Sequence, residues 1–157
     1  MLPGWLAWAG CALGWTLLTL AVIDARHLLL PDALTLPLVP AGLLVAWAVE
    51  PAKLPHHAIG ALVGFAVVAV IGLVYRRLRG REGIGLGDAK LFAAAGAWVS
   101  WMGLASVLLL AAAGGLAGHL LGARLTGRSL KGRELPFGPY IAGALWLVWL
   151  YGPVSLS

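Results

Sequence analysis

Charged residues are scarce in this chain of 157 residues. They make up 11% of the sequence, whereas 61% of the residues are hydrophobic, and the mean hydropathy is +0.94. Soluble globular domains carry roughly 25% charged residues, so this composition excludes a water-soluble domain. Nearly every apolar segment is apolar on all sides, as in helices surrounded by lipid. We therefore expect residues 1–157 to form a single membrane-embedded domain, an all-α bundle with no separate soluble module.

Cysteine is nearly absent, and its scarcity excludes several kinds of site. Cys11 is the single cysteine of the chain and lies in an apolar run, so we expect a packed thiol and neither an intrachain disulfide nor a zinc site. No cluster of His and Cys that fits a metal appears in the sequence, and we expect neither a metal nor a cofactor. The N-terminal segment has no basic region before its apolar run, which is not typical of a secretory signal peptide.

Long apolar segments are abundant, and Pro and Gly residues separate them into six predicted transmembrane helices. The fourth segment has about twelve residues, which reach only about 18 Å against a hydrocarbon core of about 30 Å. We expect its N-terminal end to lie in a recess that is lined by protein and filled with water. The predicted spans are Trp5–Ile23, Ala33–Val49, His56–Tyr75, Ala89–Ser100, Met102–Leu121 and Pro139–Val154.

The basic residues are distributed unevenly between the connections. With six spans, ten of the eleven basic residues fall on one side of the membrane, and only Lys53 falls on the other. The positive-inside rule predicts that the basic side is cytoplasmic and that both termini are outside. Anionic lipid and topology account for the net charge of +5, so we expect no nucleic-acid partner. The ten residues are Arg26, Arg76, Arg77, Arg79, Arg81, Lys90, Arg124, Arg128, Lys131 and Arg133.

Two aspartates stand at the predicted cytoplasmic ends of spans. Asp24 follows span one and Asp88 opens span four. A carboxylate at a membrane edge is costly and marks a functional site by default, although a helix cap and a solvated end residue are the simpler alternatives. Two adjacent carboxylates that share a proton can activate water. The helix dipoles predict that Asp88 starts ionised as the base and Asp24 starts protonated as the acid.

Glycines accompany these aspartates and also recur within the spans. Gly85 and Gly87 remove Cβ atoms beside Asp88, which predicts close approach of a substrate backbone or of the other carboxylate. Elsewhere, glycines four residues apart predict close helix packing. We expect His119, which lies among them, to be a hydrogen-bonded core residue. The spaced glycines are Gly60 and Gly64 in span three, and Gly114, Gly118 and Gly122 in span five.

Three segments, in order along the chain, resemble those of the type IV prepilin peptidases. They are residues 23–37 (IDARHLLLPDALTLP), 81–91 (REGIGLGDAKL, a G-x-G-D-x-K pattern) and 135–140 (LPFGPY). The resemblance implies an aspartic endopeptidase of the inner membrane that removes the basic leader of prepilins or pseudopilins at the cytoplasmic face. It implies that Asp24 and Asp88 are catalytic, with Gly85, Gly87 and Lys90 as supporting motif residues.

Other acids and one absent motif refine this expectation. Longer members of that family carry paired Cys-x-x-Cys motifs and also N-methylate the product, so a chain with one cysteine is expected to act as a peptidase alone. Asp32, Glu82 and Glu134 are candidates for binding a basic leader, or they form local salt bridges with Arg81 and Arg133. Lys90 either anchors the site electrostatically or extends to the interface.

Two other classes of function stay open on the residues alone. Intramembrane carboxylates also serve proton-coupled transporters, although no internal repeat is present. A catalytically idle partner in pilus or secretion assembly would keep the same scaffold. The sequence specifies no oligomeric state and no particular pilin.

Overall fold

The described part of the chain is helical. The computed structural model describes residues 4–80, 85–126 and 136–152, and these residues contain no strand. A short 3-10 helix, Pro51–Lys53, joins the second and third α-helices. The all-α class predicted from the sequence is confirmed. The helices are α1 (Gly4–His27), α2 (Asp32–Val49), α3 (Leu54–Arg79), α4 (Leu86–Thr126) and α5 (Gly138–Tyr151).

The helices have the length and surface of membrane-spanning segments. By length and composition, four stretches of the described residues qualify: Gly4–His27, Asp32–Val49, Pro51–Leu78 and Leu86–Leu125. Helix α5 is also apolar but has 14 residues. Large apolar side chains cover the outside of the bundle, and Leu62, for example, is 72% exposed. Lipid accommodates such a surface and water does not, so the chain is a multi-pass membrane protein.

Helix α4 is broken where the sequence predicts a boundary between spans four and five. Ser100 has φ 61° and ψ 176°, which is not helical, so two helical segments, 86–99 and 101–126, meet there. A positive φ is uncommon for a residue with a side chain and is kept only when the surroundings impose it. Here α3 packs closely against the break in α4, since a Cβ on Gly60 would lie 2.7 Å from the Trp101 nitrogen. The predicted count of six crossings stays a prediction.

Glycines bring α3 against the first half of α4, as their spacing predicts. A Cβ on Gly64 would collide with the carbonyl oxygen of Phe92, and one on Gly96 would collide with the backbone of Gly60. The His57 ring donates from Nδ1 to the Ala97 carbonyl oxygen at 2.8 Å across the same contact. Close backbone packing of this kind stabilises helix pairs in lipid.

The second glycine row, in the later half of α4, packs differently. Gly114 and Gly118 face the aromatic ring of Tyr140 in α5 rather than the backbone of a helix. The buried Nδ1 of His119 has no hydrogen-bond partner among the described residues, which differs from the hydrogen-bonded histidine expected from the sequence.

The first half of α4 lies at the centre of the bundle. Its residues from Ala89 to Trp98 are at most 9% exposed, apart from Lys90, which is half-buried. It packs against α2, α3 and α5, while α1 packs mainly against α5. The N-terminal end of this central segment carries Asp88, so the whole core of the bundle positions that carboxylate.

Candidate active site

Asp24 lies within the last turn of α1, not beyond the end of the helix as the sequence predicted. Helix α1 continues to His27, and the Leu28 N–H donates to the Asp24 carbonyl oxygen at 2.8 Å. No proline or glycine lies between Ile23 and His27, so one further helical turn forms. This turn directs the Asp24 side chain into the bundle, where the residue is only 6% exposed.

The first residue of α5 supplies the hydrogen-bond partner of Asp24. The Gly138 N–H donates to Asp24 Oδ2 at 2.9 Å in a buried position. The first N–H groups of a helix have no acceptor within the helix, and the helix dipole favours a carboxylate there. A Cβ on residue 138 would lie 2.6 Å from the same oxygen, so glycine is the residue type that permits this contact.

Asp88 is the third residue of α4, because this helix begins at Leu86 and not at Ala89 as predicted. Its N–H donates to the Gly85 carbonyl oxygen at 3.1 Å, and the Gly85 backbone also hydrogen-bonds its carboxylate. Asp88 is half-buried, and its carboxylate interacts electrostatically with that of Asp24. The structure thus brings together two carboxylates that are 64 positions apart in the sequence.

Gly87 packs closely against the connection between α1 and α2. A Cβ on Gly87 would lie 3.0 Å from Cβ of Leu30, which is buried in the connection between α1 and α2. The absence of a side chain at Gly87 therefore leaves room for Leu30, and close approach of a substrate backbone stays a prediction. At Gly85, the nearest described atom to an added Cβ would be the Gly87 nitrogen at 3.8 Å, so that position is open within the described chain.

An ion pair also joins the segment that contains Asp24 to the segment that contains Asp88. Lys90 Nζ lies 2.6 Å from Asp32 Oδ1, with side-chain exposures of 27% and 56%. Asp32 is the first residue of α2, so the pair joins the N-terminal ends of α2 and α4. The role of Lys90 in the site stays a prediction. Among the described residues, the partner of Asp32 is Lys90.

Some predicted site residues fall outside the part of the chain that the structure describes. These are Glu82 and Glu134, together with Arg81 and Arg133, their predicted local partners. Sequence reasoning also missed one residue that contacts the pair. Gly138 stands in the third segment, LPFGPY, and a glycine that begins an apolar helix in such a segment was a usable signal.

The pair of Asp24 and Asp88 has the groups needed for acid–base chemistry. Two carboxylates in electrostatic contact do not easily ionise together, and such a pair can hold one proton between them. A pair in that state contains both a base for water and an acid for a carbonyl oxygen. Within residues 4–80, 85–126 and 136–152, no group of three or more His, Cys, Asp or Glu side chains is placed to hold a metal ion.

One family of known proteins and several individual proteins match this chain. The type IV leader peptidase family matches residues 11–123. The prepilin leader peptidase/N-methyltransferase of Aeromonas salmonicida is 41% identical over 96% of this chain and 51% of its own length. That of Dichelobacter nodosus is 42% identical over 88% and 46%, respectively. This chain therefore spans about half the length of these two relatives.

A shorter relative matches over most of its own length. The leader peptidase HopD of Escherichia coli is 41% identical over 80% of this chain and 81% of its own length. No solved structure matches the chain.

Proposed function

This chain belongs to the type IV leader peptidase family, and we propose that it is an aspartic endopeptidase whose catalytic pair is Asp24 and Asp88. One observation carries the proposal. The two helix ends that hold these aspartates converge, so that their carboxylates interact inside an apolar bundle. The proposed substrates are prepilins or pseudopilins, which lose a basic leader at the cytoplasmic face of the inner membrane.

The same proposal includes a topology of six transmembrane helices in one domain. The break at Ser100 supports it, because α4 as a single straight helix of 41 residues would be about 60 Å long, twice the thickness of a hydrocarbon core. The asymmetry of the basic residues supports a cytoplasmic site. The first segment of α4, residues 86–99, would reach only about 21 Å, which favours a recessed, hydrated position for Asp88.

In the proposed mechanism, the ionised carboxylate of the pair takes a proton from water while the water oxygen attacks the scissile carbonyl carbon. The protonated carboxyl of the other aspartate donates to the carbonyl oxygen and stabilises the charge that develops there. The C–N bond then breaks, and the proton taken from water passes to the leaving amine. One shared proton is restored at the end of the cycle.

The backbone donors near each carboxylate bear on how the proton is divided within this proposal. The dipole of α1 alone would make Asp24 the protonated member. The Gly138 N–H at the N-terminus of α5 offsets that effect, and the backbone hydrogen bond from Gly85 favours the ionised form of Asp88. We therefore treat the pair as one titrating unit and assign neither carboxylate a fixed role.

The test is cleavage of a purified prepilin in proteoliposomes without any ion gradient. Asp24→Asn and Asp88→Asn should each lower the cleavage rate by about 10²- to 10⁴-fold, the range expected for loss of an acid or base. Glu50→Gln is the matched control, since Glu50 is exposed at the far end of α2 and pairs with Lys53 at 2.8 Å. It should cleave at the wild-type rate.

Two outcomes would contradict the proposal. Cleavage by Asp88→Asn at the wild-type rate would remove the aspartic mechanism, and activity of the wild type only under an ion gradient would favour a transporter.

We do not assign methyltransferase activity to this chain, because one cysteine cannot form the paired Cys-x-x-Cys motif.

A further inference from the structure

Exposed aromatic side chains are concentrated at the end of the bundle that lies opposite Asp24 and Asp88. Five helical segments meet at this end around a cavity of about 230 Å³. One lining residue from each segment shows the convergence: Leu6, Val49, His57, Trp98 and Trp149. Close to these residues along the chain, five aromatic side chains are each at least 43% exposed. We call this region the aromatic end, and its exposed aromatic residues are Trp5, Trp8, Trp47, Trp101 and Tyr151.

The surface of α2 shows what surrounds the aromatic end. Leu44 is 62% exposed, Trp47 follows with 57% exposure, and the exposed ion pair of Glu50 with Lys53 comes next. A bilayer presents the same order of environments, namely hydrocarbon, headgroup interface and water. Trp and Tyr prefer the interface because each combines an apolar ring with a polar N–H or O–H group. The level of Trp47 therefore fits the lipid headgroup interface.

Two helical segments are long enough to cross a hydrocarbon core from the aromatic end. In α3, exposed Arg77 follows His57 by 20 residues, which corresponds to about 30 Å. In the second segment of α4, exposed Arg124 follows Trp101 by 23 residues, or about 35 Å. A hydrocarbon core is about 30 Å thick, so these arginines end the apolar surface where the second interface is expected.

The segments that hold the carboxylates are shorter. Asp24 follows Trp8 by 16 residues, which corresponds to about 24 Å, and Asp88 precedes Trp101 by 13 residues, or about 20 Å. Helix α5, with 14 residues, reaches about 21 Å. With the aromatic end at one interface, the carboxylates would lie roughly 6–10 Å inside a hydrocarbon core of about 30 Å.

A direct contact between α3 and α4 supports this difference in depth. A Cβ on Gly64 would collide with the carbonyl oxygen of Phe92, so these two residues lie at the same level. Asp88 lies four residues from Phe92, or about 6 Å, and Arg77 lies 13 residues from Gly64, or about 20 Å. Both distances run in the same direction, because the two helices are antiparallel. Helix α3 therefore extends well beyond the level of Asp88 before its arginine.

The side chains at the two interfaces differ in stiffness. A Trp side chain has only two torsion angles, so its ring stays at a nearly fixed height relative to the backbone. An Arg side chain extends along a flexible stem and reaches the interface from a range of depths. Beyond the aromatic end, the described residues expose Trp15, Phe65 and Tyr75, of which Tyr75 lies near the second interface. A change in bilayer thickness therefore meets less resistance at the end that holds the carboxylates.

We propose that the aromatic end binds the lipid headgroup interface as a rigid anchor, so that bilayer thickness sets the depth of Asp24 and Asp88 below the opposite interface. A thicker bilayer then places the pair deeper and hinders its access to water. The effect on cleavage rests on the proposed function, whereas the anchorage rests on the fold alone.

The first arm of the experiment measures depth with spin labels in the Cys11→Ala protein. Labels are placed at Val49→Cys, at the aromatic end, and at Ala25→Cys, beside Asp24; both positions are exposed. The lipids are dimyristoleoyl, dioleoyl and dierucoyl phosphatidylcholine, each with the same fraction of phosphatidylglycerol for the basic end. Accessibility to oxygen and to a nickel chelate gives each label's depth. The label at residue 49 should keep its depth, while the label at residue 25 should take up nearly the whole change in thickness.

A variant without the anchor provides the comparison. The triple variant Trp8→Leu, Trp47→Leu and Tyr151→Leu removes the most exposed rings of the aromatic end, at 79%, 57% and 83% exposure, and keeps an apolar surface. In this variant both labels should shift with thickness by similar amounts. Trp15→Leu is the matched control, because Trp15 is 72% exposed but lies about 10 Å below the level of Trp8. It should behave as the wild type does.

The second arm measures prepilin cleavage in the same three lipids. The wild-type rate should fall by about fivefold or more from the thinnest to the thickest bilayer, because the cost of mismatch accumulates with each Å. The triple variant should show a smaller fall with the same substrate. An equal fall in both proteins would contradict the link between the anchor and cleavage.

The outcomes separate this inference from the proposed function. Equal shifts of both labels in the wild type, or an unchanged pattern in the triple variant, would overturn the anchor while the peptidase function stands. A wild type that shows the expected depths but cleaves no prepilin in any of the lipids would overturn the peptidase function and leave the anchor in place.

Discussion

The proposed contribution of α5 to catalysis depends on the hydrogen bond from Gly138 to Asp24. A substitution that adds one methyl group at residue 138 tests this contribution. In Gly138→Ala, the new Cβ would lie 2.6 Å from Asp24 Oδ2 and 2.9 Å from Cγ. To restore an ordinary contact of 3.4 Å, the carboxylate must move by about 0.8 Å, away from the Gly138 N–H that it now accepts at 2.9 Å.

The size of the effect follows from that displacement. A hydrogen bond to a charged group contributes about 1.5–3 kcal/mol, and a shift of about 1 Å in a reacting group can cost 10²-fold in rate. We therefore expect Gly138→Ala to lower the rate of prepilin cleavage by about 10- to 100-fold. Each factor of ten in rate corresponds to about 1.4 kcal/mol of activation free energy, so this range agrees with the energy of the hydrogen bond. Alanine favours a helix more than glycine does, so loss of helix propensity does not account for the change.

The assay compares initial cleavage rates at equal amounts of folded protein in proteoliposomes. Gly115→Ala is the matched control, because its Cβ would meet the nearest described atom, in the Phe137 ring, at 3.4 Å and leave Asp24 untouched. It should keep the wild-type rate. Folded Gly138→Ala with full activity would refute the reasoning, since it would mean that the position of the Asp24 carboxylate does not limit cleavage.

Two further predictions concern the ion pair and the topology. Asp32→Asn and Lys90→Met should each lower the cleavage rate by less than about fivefold, because a partly exposed pair contributes about 1 kcal/mol or less; a loss with Asp32→Asn as large as with Asp24→Asn would identify Asp32 as the catalytic partner instead. In a Cys11→Ala background, cysteines at positions 79 and 128 should be protected from an impermeant thiol reagent in intact cells, whereas one at Lys53 should react. The reverse labelling would place the aspartates outside.

Much of the fold follows from the amino-acid sequence alone. Apolar composition and segment length predict membrane helices, because transfer into lipid depends on residue type summed over a local window. The packing of Gly60 and Gly64 is predicted for a similar reason, because glycine spacing acts within one or two helical turns. The boundary near residue 100 follows from dividing the apolar sequence into segments of about membrane-spanning length. Asp24 and Asp88 were identified because carboxylates are rare and costly in such a chain.

The tertiary structure decided which groups these aspartates contact. The hydrogen bond from Gly138 to Asp24 joins residues 114 positions apart, and the pair of Lys90 and Asp32 joins residues 58 positions apart. Gly87 packs on Leu30 for the same kind of reason. Such contacts depend on the relative rotation of helices to within about one residue, or 100° of helical turn, and on one further turn at the end of α1. Local periodicity sets neither, because the orientation of helix ends is determined by the packing of the whole bundle.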